Sequence, residues 1–414
     1  MPRHKMNAYD VSELMNEMSC AGLLKEIPID IVNQELEACG VQSERNRCLP
    51  AASLIYLVAM MALNSNVSIS ENLRVLLEPL RRILGIRNSK IVGGPAISQA
   101  RQKIGATAFR QVFEKVCKVR SSSDVKDCFW RNYRLVAVDG TVLSLQDTKA
   151  NEAFFGKHVN QYGAMNYPQL RAVTLMECGS KIFFEANIGR SEQSEQALFE
   201  PLVKQIESNM LLLADRLYYG FDLWRRCASR GGALVWRVKK SLNIKKNKDL
   251  GDGSFLGEVK PGWELIAKGI YKRSDRELVR VIDYKPIFEG GNEGEPVRLL
   301  TNILDANIPA EEIAALYPAR WTIEEGYSEL KSQIHGDRKT LRSQLPELVL
   351  QEFYGFLLAH FATRVMMLEA AKQNNISPHE LSFSHSVSVI RRKMSFFPSR
   401  KNKKGKRAIS SGDY

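Results

Sequence analysis

The sequence has few cysteines, and they form no recognisable pattern. Seven occur among 414 residues. They are scattered and none lie at C-x-x-C spacing, so no disulfide framework is predicted. This usage fits a reducing interior such as the cytoplasm. The sequence also has no zinc pattern, no H-E-x-x-H and no P-loop signature, which argues against an ATP-driven DNA machine of the P-loop kind.

Long apolar runs are also missing. Leu49–Leu63 is about fifteen residues long, which is shorter than the roughly 20 residues that a membrane-spanning helix needs. Phe353–Leu368 is interrupted by His360 and Arg364. The first ten residues have no apolar core of a secretory signal. We therefore expect no membrane partner, and we interpret both runs as buried helices.

Acidic residues are outnumbered by basic ones. There are 59 Lys and Arg against 46 Asp and Glu, which gives a net charge of +13. A polyanionic partner suits this excess, because each phosphate contact releases counterions, although an anionic membrane surface would fit the charge equally well. The segment Arg391–Arg407 holds nine Lys or Arg and no acid. Such a run predicts a basic tail that adds non-specific DNA affinity.

The first part of the chain, residues 1–128, is predicted to be a helical amino-terminal DNA-binding domain. Apolar residues recur at three-to-four spacing in Ile31–Cys39, Ala51–Leu63 and Ser70–Leu84. Basic residues are frequent between Arg81 and Arg110. A helix-turn-helix and a plain helical bundle with a solvated basic face are both compatible with this pattern.

From residue 129 the pattern becomes α/β. Leu135–Leu143, Met210–Ala214 and Ala233–Val238 are short apolar runs typical of buried strands, and Arg171–Met176 with Ile182–Ala186 predicts a hairpin. Residues of about 240–304 are predicted to be a β-rich insertion. Its three alternating segments are Trp263–Ile270, Glu277–Ile282 and Val297–Ile303. Two helices are predicted to follow, from Pro318 to about His335 and from Leu348 to about Ala371. The predicted catalytic domain is 129–372, and 373–414 is a carboxyl-terminal segment with the basic tail.

Two aspartates occur in these strands. Asp139 lies within an apolar strand, where an ionised carboxylate is costly unless it is paired or binds a metal. Gly140 beside it allows a close approach. Asp215 directly follows Met210–Ala214, and ligands bind at strand ends in open α/β sheets. Each aspartate alone could equally be a turn or cap residue.

A stripe of polar residues lies on the first predicted carboxyl-terminal helix. At about 100° per residue, Tyr317, Arg320, Glu324 and Lys331 project within one narrow sector. A buried stripe is normally apolar, so an aromatic, two cations and an acid in one stripe indicate a functional site. The neighbouring Glu325 projects about 100° away and is the weaker candidate. An exposed Arg320–Glu324 ion pair at i,i+4 would explain the stripe equally well.

The segment Tyr317-Pro-Ala-Arg320-Trp-Thr-Ile-Glu324, followed by Lys331, resembles the Y-x2-R-x3-E-x6-K signature of a large family of insertion-sequence transposases. These are DDE enzymes with a ribonuclease-H-like core. Val138-Asp139-Gly140-Thr141 and Ala214-Asp215-Arg216-Leu217-Tyr218-Tyr219-Gly220 resemble the family's segments around its first and second aspartates, with Leu217 where a small residue is expected. The resemblance implies an α/β, ribonuclease-H-like mixed-sheet catalytic core with a β-rich insertion.

The resemblance also implies the chemistry. Asp139, Asp215 and Glu324 would be the catalytic residues and would hold two ions, Mg²⁺ or Mn²⁺, for metal-dependent cut-and-paste transposition. Tyr317, Arg320 and Lys331 would hold DNA phosphates. The expected partner is double-stranded DNA, both inverted-repeat ends and target, bound by a homodimer on paired ends in the bacterial cytoplasm and nucleoid.

Some details stay open at this point. Some members of the family stack a flipped base on an aromatic side chain, for which Trp236 and Trp263 are candidates, although ordinary packing is the simpler interpretation of both. Two other functions are compatible with the sequence. One is a catalytically inactive, transposase-derived DNA-binding protein, and the other is a plain metal-dependent nuclease without end specificity. The intact acidic triad argues against the first.

Overall fold

The computed structural model describes residues 23, 25–42, 49–84, 92–160, 163–286, 292–334 and 340–394. Its amino-terminal part is helical, as predicted. The helices with described bounds before the first strand are α1 Ile29–Ala38, α2 Ala51–Leu63, α3 Ile69–Leu84 and α4 Gly94–Val116. Every residue of α2 is buried, which is the arrangement expected of a helix that is apolar on all sides. The side chains between 78 and 91, and the residues from 395 onwards that form most of the basic tail, lie outside the described residues.

The middle of the chain forms one large mixed sheet. Its first strands are β1 Phe129–Trp130, β2 Tyr133–Ser144, β5 Gln169–Glu177, β6 Ile182–Arg190, β7 Met210–Ala214 and β8 Ala233–Val238. The order is β6-β5-β2-β7-β8, with β1 beside β2. Strands β6, β5 and β2 pair antiparallel, whereas β2, β7 and β8 pair parallel. This is the predicted mixed-sheet core of ribonuclease-H-like type, and the predicted hairpin is its β5–β6 pair.

Short elements connect these strands. They are α5 Lys149–Phe155, the small hairpin of β3 Val159–Asn160 and β4 Gly163–Ala164, α6 Glu195–Phe199, a 3-10 turn at Glu200–Gln205, and α7 Phe221–Ala228. Helix α6 begins at Ser194, whose side chain accepts a hydrogen bond from the Ala197 amide, as an N-cap serine commonly does.

The β-rich segment after β8 extends the same sheet. Its strands are β9 Lys245–Asp249, β10 Ser254–Val259, β11 Glu277–Tyr284 and β12 Val297–Thr301. They continue the sheet from β8 in the order β12-β11-β10-β9, all antiparallel. The prediction of a strand at Trp263–Ile270 is wrong, since Trp263–Ala267 forms a short helix, α8. A short apolar run does not by itself distinguish a strand from a helical turn.

The helical segment that carries the polar stripe is composite. After α9 Ala310–Ala314, it begins as a 3-10 turn at Tyr317–Trp321, continues as α10 Thr322–Ser328 and ends as a π-helical segment at Glu329–Ile334. The prediction of one regular α-helix is therefore wrong in detail. Turns of 3-10 type are frequent at helix ends, and π-helical turns are frequent at functional sites. The predicted end at about His335 lies outside the described residues.

The long helix α11 Pro346–Asn374 joins the helical part to the sheet, because it packs on α2, α4 and β6. It crosses α2 closely at Gly355, where a Cβ would lie 2.5 Å from Val58 Cγ1. A 3-10 turn at Pro378–Glu380 and α12 Phe383–Met394 follow. Among the described residues, no helix is long and apolar enough to cross a membrane.

Two apolar clusters cover the two faces of the sheet. Alternate residues of β2 enter different clusters, as strand geometry requires: Leu135 and Ala137 face the helices of the amino-terminal part and α11, whereas Val136 and Val138 face α6 and α7. The next residue along the strand on the first face is Asp139. The apolar pattern of β2 therefore ends where the candidate site begins.

Candidate active site

Sheet register brings the two predicted aspartates to neighbouring positions. The parallel pairing of β2 with β7 aligns Arg134 with Met210 and ends at Ala137 and Leu213. Two further steps in the same register would align Asp139 with Asp215. Adjacent strands lie about 4.8 Å apart, so both aspartates lie at the carboxyl end of this strand pair, where α/β sheets bind ligands.

Asp139 is held tightly by its surroundings. Its Oδ1 accepts a hydrogen bond from the Gly140 amide at 2.8 Å, and its backbone carbonyl accepts one from the Tyr327 hydroxyl at 2.7 Å. Burial raises the pKa of Asp139 to about 6, the Gly140 amide and Arg320 lower it, and the charges of Glu195 and Glu324 raise it further. An anion in this position calls for a cation.

Asp215 begins the turn after β7 and accepts a hydrogen bond from the Leu217 amide at 2.6 Å. Tyr317 lies near it and is buried. Burial raises the pKa of Tyr317 to about 12, and the charge of Asp215 acts in the same direction. The structure thus brings the first residue of the polar stripe to the second predicted aspartate.

Arg320 connects the other two predicted acids. Its guanidinium donates to Glu324 Oε1 at 2.9 Å and to Asp139 Oδ2 at 3.3 Å. The predicted i,i+4 ion pair therefore exists, but Arg320 is buried at 5% exposure, whereas the Glu324 side chain is 41% exposed. One cation is thus shared by two carboxylates, and it lies 181 residues from the first of them, Asp139, in the chain.

Lys331, the last residue of the stripe, also faces β2. Together with Thr141 and Tyr327 it lines a small cavity. Burial lowers the pKa of Lys331, and the negative charge of Asp139 offsets part of this. Glu325, by contrast, pairs with Lys181 at 2.6 Å. The neighbouring acid is thus turned towards another cation, as its position on the helix predicts.

The side chains at this edge have the oxygen atoms that a divalent ion prefers as ligands. Asp139, Asp215 and Glu324 offer carboxylate oxygens, the hard ligands that Mg²⁺ and Mn²⁺ prefer. The pKa of Asp139 is raised to about 6 mainly by burial, and the charges of Glu195 and Glu324 add to this. As placed, no three His, Cys, Asp or Glu side chains within the described ranges are grouped closely enough to hold an ion, and Arg320 lies between two of the acids. The residues fit a divalent ion by chemistry, and their oxygens would have to move closer together to bind it.

Three residues at this edge were not singled out from the sequence. Tyr327 lies one turn after Glu324 and also bonds the Thr174 hydroxyl at 2.7 Å, so the helical stripe could have included it. Glu195 and Tyr218 are joined by a 3.0 Å hydrogen bond. Glu195 resembles an ordinary acid in the first turn of a helix, and no sequence pattern separates it from one.

The two tryptophans differ. Trp236 is fully buried and packs edge-on against Trp224, which confirms ordinary packing. Trp263 is 69% exposed, so the prediction that it packs in the core is wrong, because the segment that carries it forms a surface helix. Of the two tryptophans, only Trp263 has a side chain that is accessible from solvent.

Known protein families and individual proteins match most of this chain. A family described as transposase DDE domain matches residues 130–359, more than half of the chain. A second, described as insertion element 4 transposase N-terminal, matches residues 17–114. The transposase InsG for insertion sequence element IS4 of Escherichia coli (strain K12) is 30% identical, over 88% of this chain and 80% of that protein. The putative transposase InsZ of the same organism is 25% identical, over 59% of this chain and 80% of that protein.

Proposed function

Because the chain belongs to the DDE transposases of insertion sequences, we propose that Asp139, Asp215 and Glu324 are its catalytic residues and hold two divalent ions, Mg²⁺ or Mn²⁺. The family that the signature predicted is thereby confirmed. The observation that carries the residue assignment is the Arg320 guanidinium, which touches both Asp139 and Glu324. The sheet register, continued two steps beyond Ala137 and Leu213, would align Asp215 with Asp139, and it supports a site built from two strand ends and one helix.

Divalent ions in such a site supply Lewis-acid stabilisation of phosphate charge and favour a hydroxide or alkoxide nucleophile. The chain itself holds the acids in place. The Gly140 amide orients the Asp139 carboxylate, and the Tyr327 hydroxyl ties the strand that carries it to helix α10. The Leu217 amide orients Asp215 in the same way. Such fixed donors keep the carboxylates from adopting other rotamers, which preorganises a site.

Tyr317, Arg320 and Lys331 are proposed to hold DNA phosphates beside the scissile bond. An arginine grips a phosphate with two parallel hydrogen bonds, whereas a lysine acts as a point charge. In the structure Arg320 is bound by two carboxylates. A DNA phosphate that takes over this guanidinium would free oxygens of Asp139 and Glu324 at the moment when the DNA arrives, so DNA binding and assembly of the site would be coupled.

Residues 1–128 are proposed to form the domain that binds the inverted-repeat ends, and 129–372 the catalytic domain with its insertion. The net positive charge of the chain supports contacts with both element ends and target DNA. Two ends must be joined to one target, so we infer that a homodimer acts on paired ends. Since its substrate would be chromosomal DNA and its relatives are bacterial, the cytoplasm and nucleoid are the proposed location.

The test is cleavage of the element's own ends by the purified chain, with and without Mg²⁺. Wild type should release the ends and join them to target only with the ion. Asp139→Asn and Asp215→Asn should bind the ends but not cut them. Cleavage by either variant at the wild-type rate would overturn the site assignment.

The same assay separates the two other functions. End binding without cleavage by wild type, whatever the ion, would indicate an inactive descendant. Cutting of any duplex without strand joining would indicate a plain nuclease.

A further inference from the structure

A fourth acid lies beside the three proposed catalytic ones. Glu195 is the first residue of α6, and its carboxyl group lies directly over Gly140. A Cβ on Gly140 would lie 2.6 Å from Glu195 Oε1, so only a glycine leaves room for this carboxylate. The close approach that glycine permits beside Asp139 is thus used by another part of the chain.

The Glu195 carboxylate is also tied to the segment of the second aspartate. Tyr218, three residues after Asp215, donates its hydroxyl to Glu195 Oε2 at 3.0 Å and is fully buried. The adjacent Gln196 donates its amide to the Leu217 carbonyl at 2.5 Å. Glu195 therefore contacts the strand of Asp139 on one side and the turn of Asp215 on the other.

The charge balance at this edge is incomplete. In the described part of the chain neither Glu195 nor Asp215 has a Lys, Arg or His at ion-pair distance, and Arg320 is shared by Asp139 and Glu324. An acid that served only the helix end would need neither the glycine beneath it nor the buried tyrosine that aims it. Partly buried carboxylates that lack a cation of the protein are suited to bind one from solution.

We propose that Glu195 is a fourth carboxylate of the divalent-metal site, which binds or positions an ion together with Asp139 and Asp215. This inference rests on the proposed function, since it adds a residue to the site assigned there. Two parts of the structure are explained by it: Gly140 makes room for the carboxylate, and Tyr218 orients it through one oxygen while leaving Oε1 for the ion.

The experiment is a titration of the full-length chain with Mn²⁺, followed by the electron paramagnetic resonance of free Mn²⁺. The variants are Glu195→Gln, Asp139→Asn and Glu192→Gln. Glutamine can still accept the Tyr218 hydrogen bond, so only the charge is removed. Glu192 is the matched control, because it lies three residues earlier and its side chain is 61% exposed. Melting temperatures without metal report on folding.

We expect Glu195→Gln to weaken Mn²⁺ binding at least about tenfold, as loss of groups around a metal does, with an unchanged melting temperature and with Glu192→Gln as wild type. If Asp139→Asn weakens binding but Glu195→Gln behaves as Glu192→Gln, the inference is overturned and the proposed site stands. If Asp139→Asn binds as wild type, or wild type binds no Mn²⁺, the proposed site itself fails.

A second variant guards against a purely structural explanation. Gly140→Ala keeps the Glu195 charge but displaces the carboxylate, and it should weaken Mn²⁺ binding as well. Combined with Glu195→Gln it should add little, because both changes remove the same interaction. Fully additive losses would show that Gly140 acts independently of Glu195 and would overturn the role of this contact.

Discussion

Two clusters of charge contact the helical segment Tyr317–Ile334, and they are balanced differently. In the first, here called the anchor cluster, Glu329 binds His360 Nε2 and Arg364 Nε, each at 3.0 Å, with Lys181 nearby. In the second, the site carboxylates Asp139, Asp215 and Glu324 outnumber their cations: among the described residues only Arg320 lies at ion-pair distance from any of them, and it bridges Asp139 and Glu324.

The difference separates support from function. A buried charge is tolerated when a partner of opposite sign satisfies it, and the anchor cluster does so within the protein. It holds the π-helical end of the segment on α11. The site carboxylates leave negative charge uncompensated, which stabilises nothing unless a cation is bound. Removing a charge should therefore lower the stability of the fold at the anchor cluster and abolish cleavage at the site carboxylates.

The largest expected effect is on catalysis at the site carboxylates. Glu324→Gln should slow cleavage of element ends by about 1000-fold or more, as removal of a catalytic group does, while the melting temperature hardly changes. Glu325→Gln is the matched control, because Glu325 pairs with Lys181 instead. Equal cleavage rates for the two variants would erase the distinction between these neighbouring acids.

The next effect is on stability at the anchor cluster. Arg364→Met leaves Glu329 without one of its partners, and breaking a buried ion pair typically costs about 3–5 kcal/mol. Urea unfolding measures this loss. Lys285→Met, which breaks an ion pair between two exposed side chains, Lys285 and Glu293, should cost far less. Similar losses for both variants would mean that the anchor cluster is not a support.

Arg320 is the proposed phosphate-binding residue and also the ion-pair partner of Glu324. Its variants separate these two roles. If it clamps a phosphate, Arg320→Ala should slow strand transfer from pre-cut ends by about 100-fold, and Mn²⁺ binding should survive because no ligand is lost. Arg320→Lys should rescue poorly, since it lacks the two-pronged grip. Wild-type transfer by Arg320→Ala would leave only the ion pair with Glu324 as its role.

The smallest effect is the pH dependence of the anchor cluster. Burial lowers the pKa of His360, and Glu329 opposes this while Arg364 and Lys181 add to it. The unfolded chain takes up a proton below about pH 6.5, whereas the folded one resists it. Stability should therefore fall as pH drops from 7 towards 5, by at most about 1.4 kcal/mol per pH unit from this group. His360→Gln should flatten this slope in urea unfolding, and an unchanged slope would contradict the assignment.

Much of the architecture could be predicted because its signals are local. The strands at Met210–Ala214 and Ala233–Val238 have the predicted bounds, since short apolar runs between turn residues indicate buried strands. Trp263–Ala267 was misread because a few apolar residues fit a helical turn as well as a strand. The segment Tyr317–Ile334 was predicted as one regular helix because a projection at about 100° per residue assumes a constant rotation along the chain.

The sequence by itself determined the family, the positions of several strands along the chain and the candidate acids, because motif spacing and hydrophobic period are properties of neighbouring residues. Only the tertiary structure decided which acids meet. Arg320 reaches Asp139 across 181 residues, and Glu195 reaches Gly140 because α6 docks against the turn after Asp215. Such approaches depend on sheet register and helix packing, which join segments far apart in the chain and leave no local pattern in it.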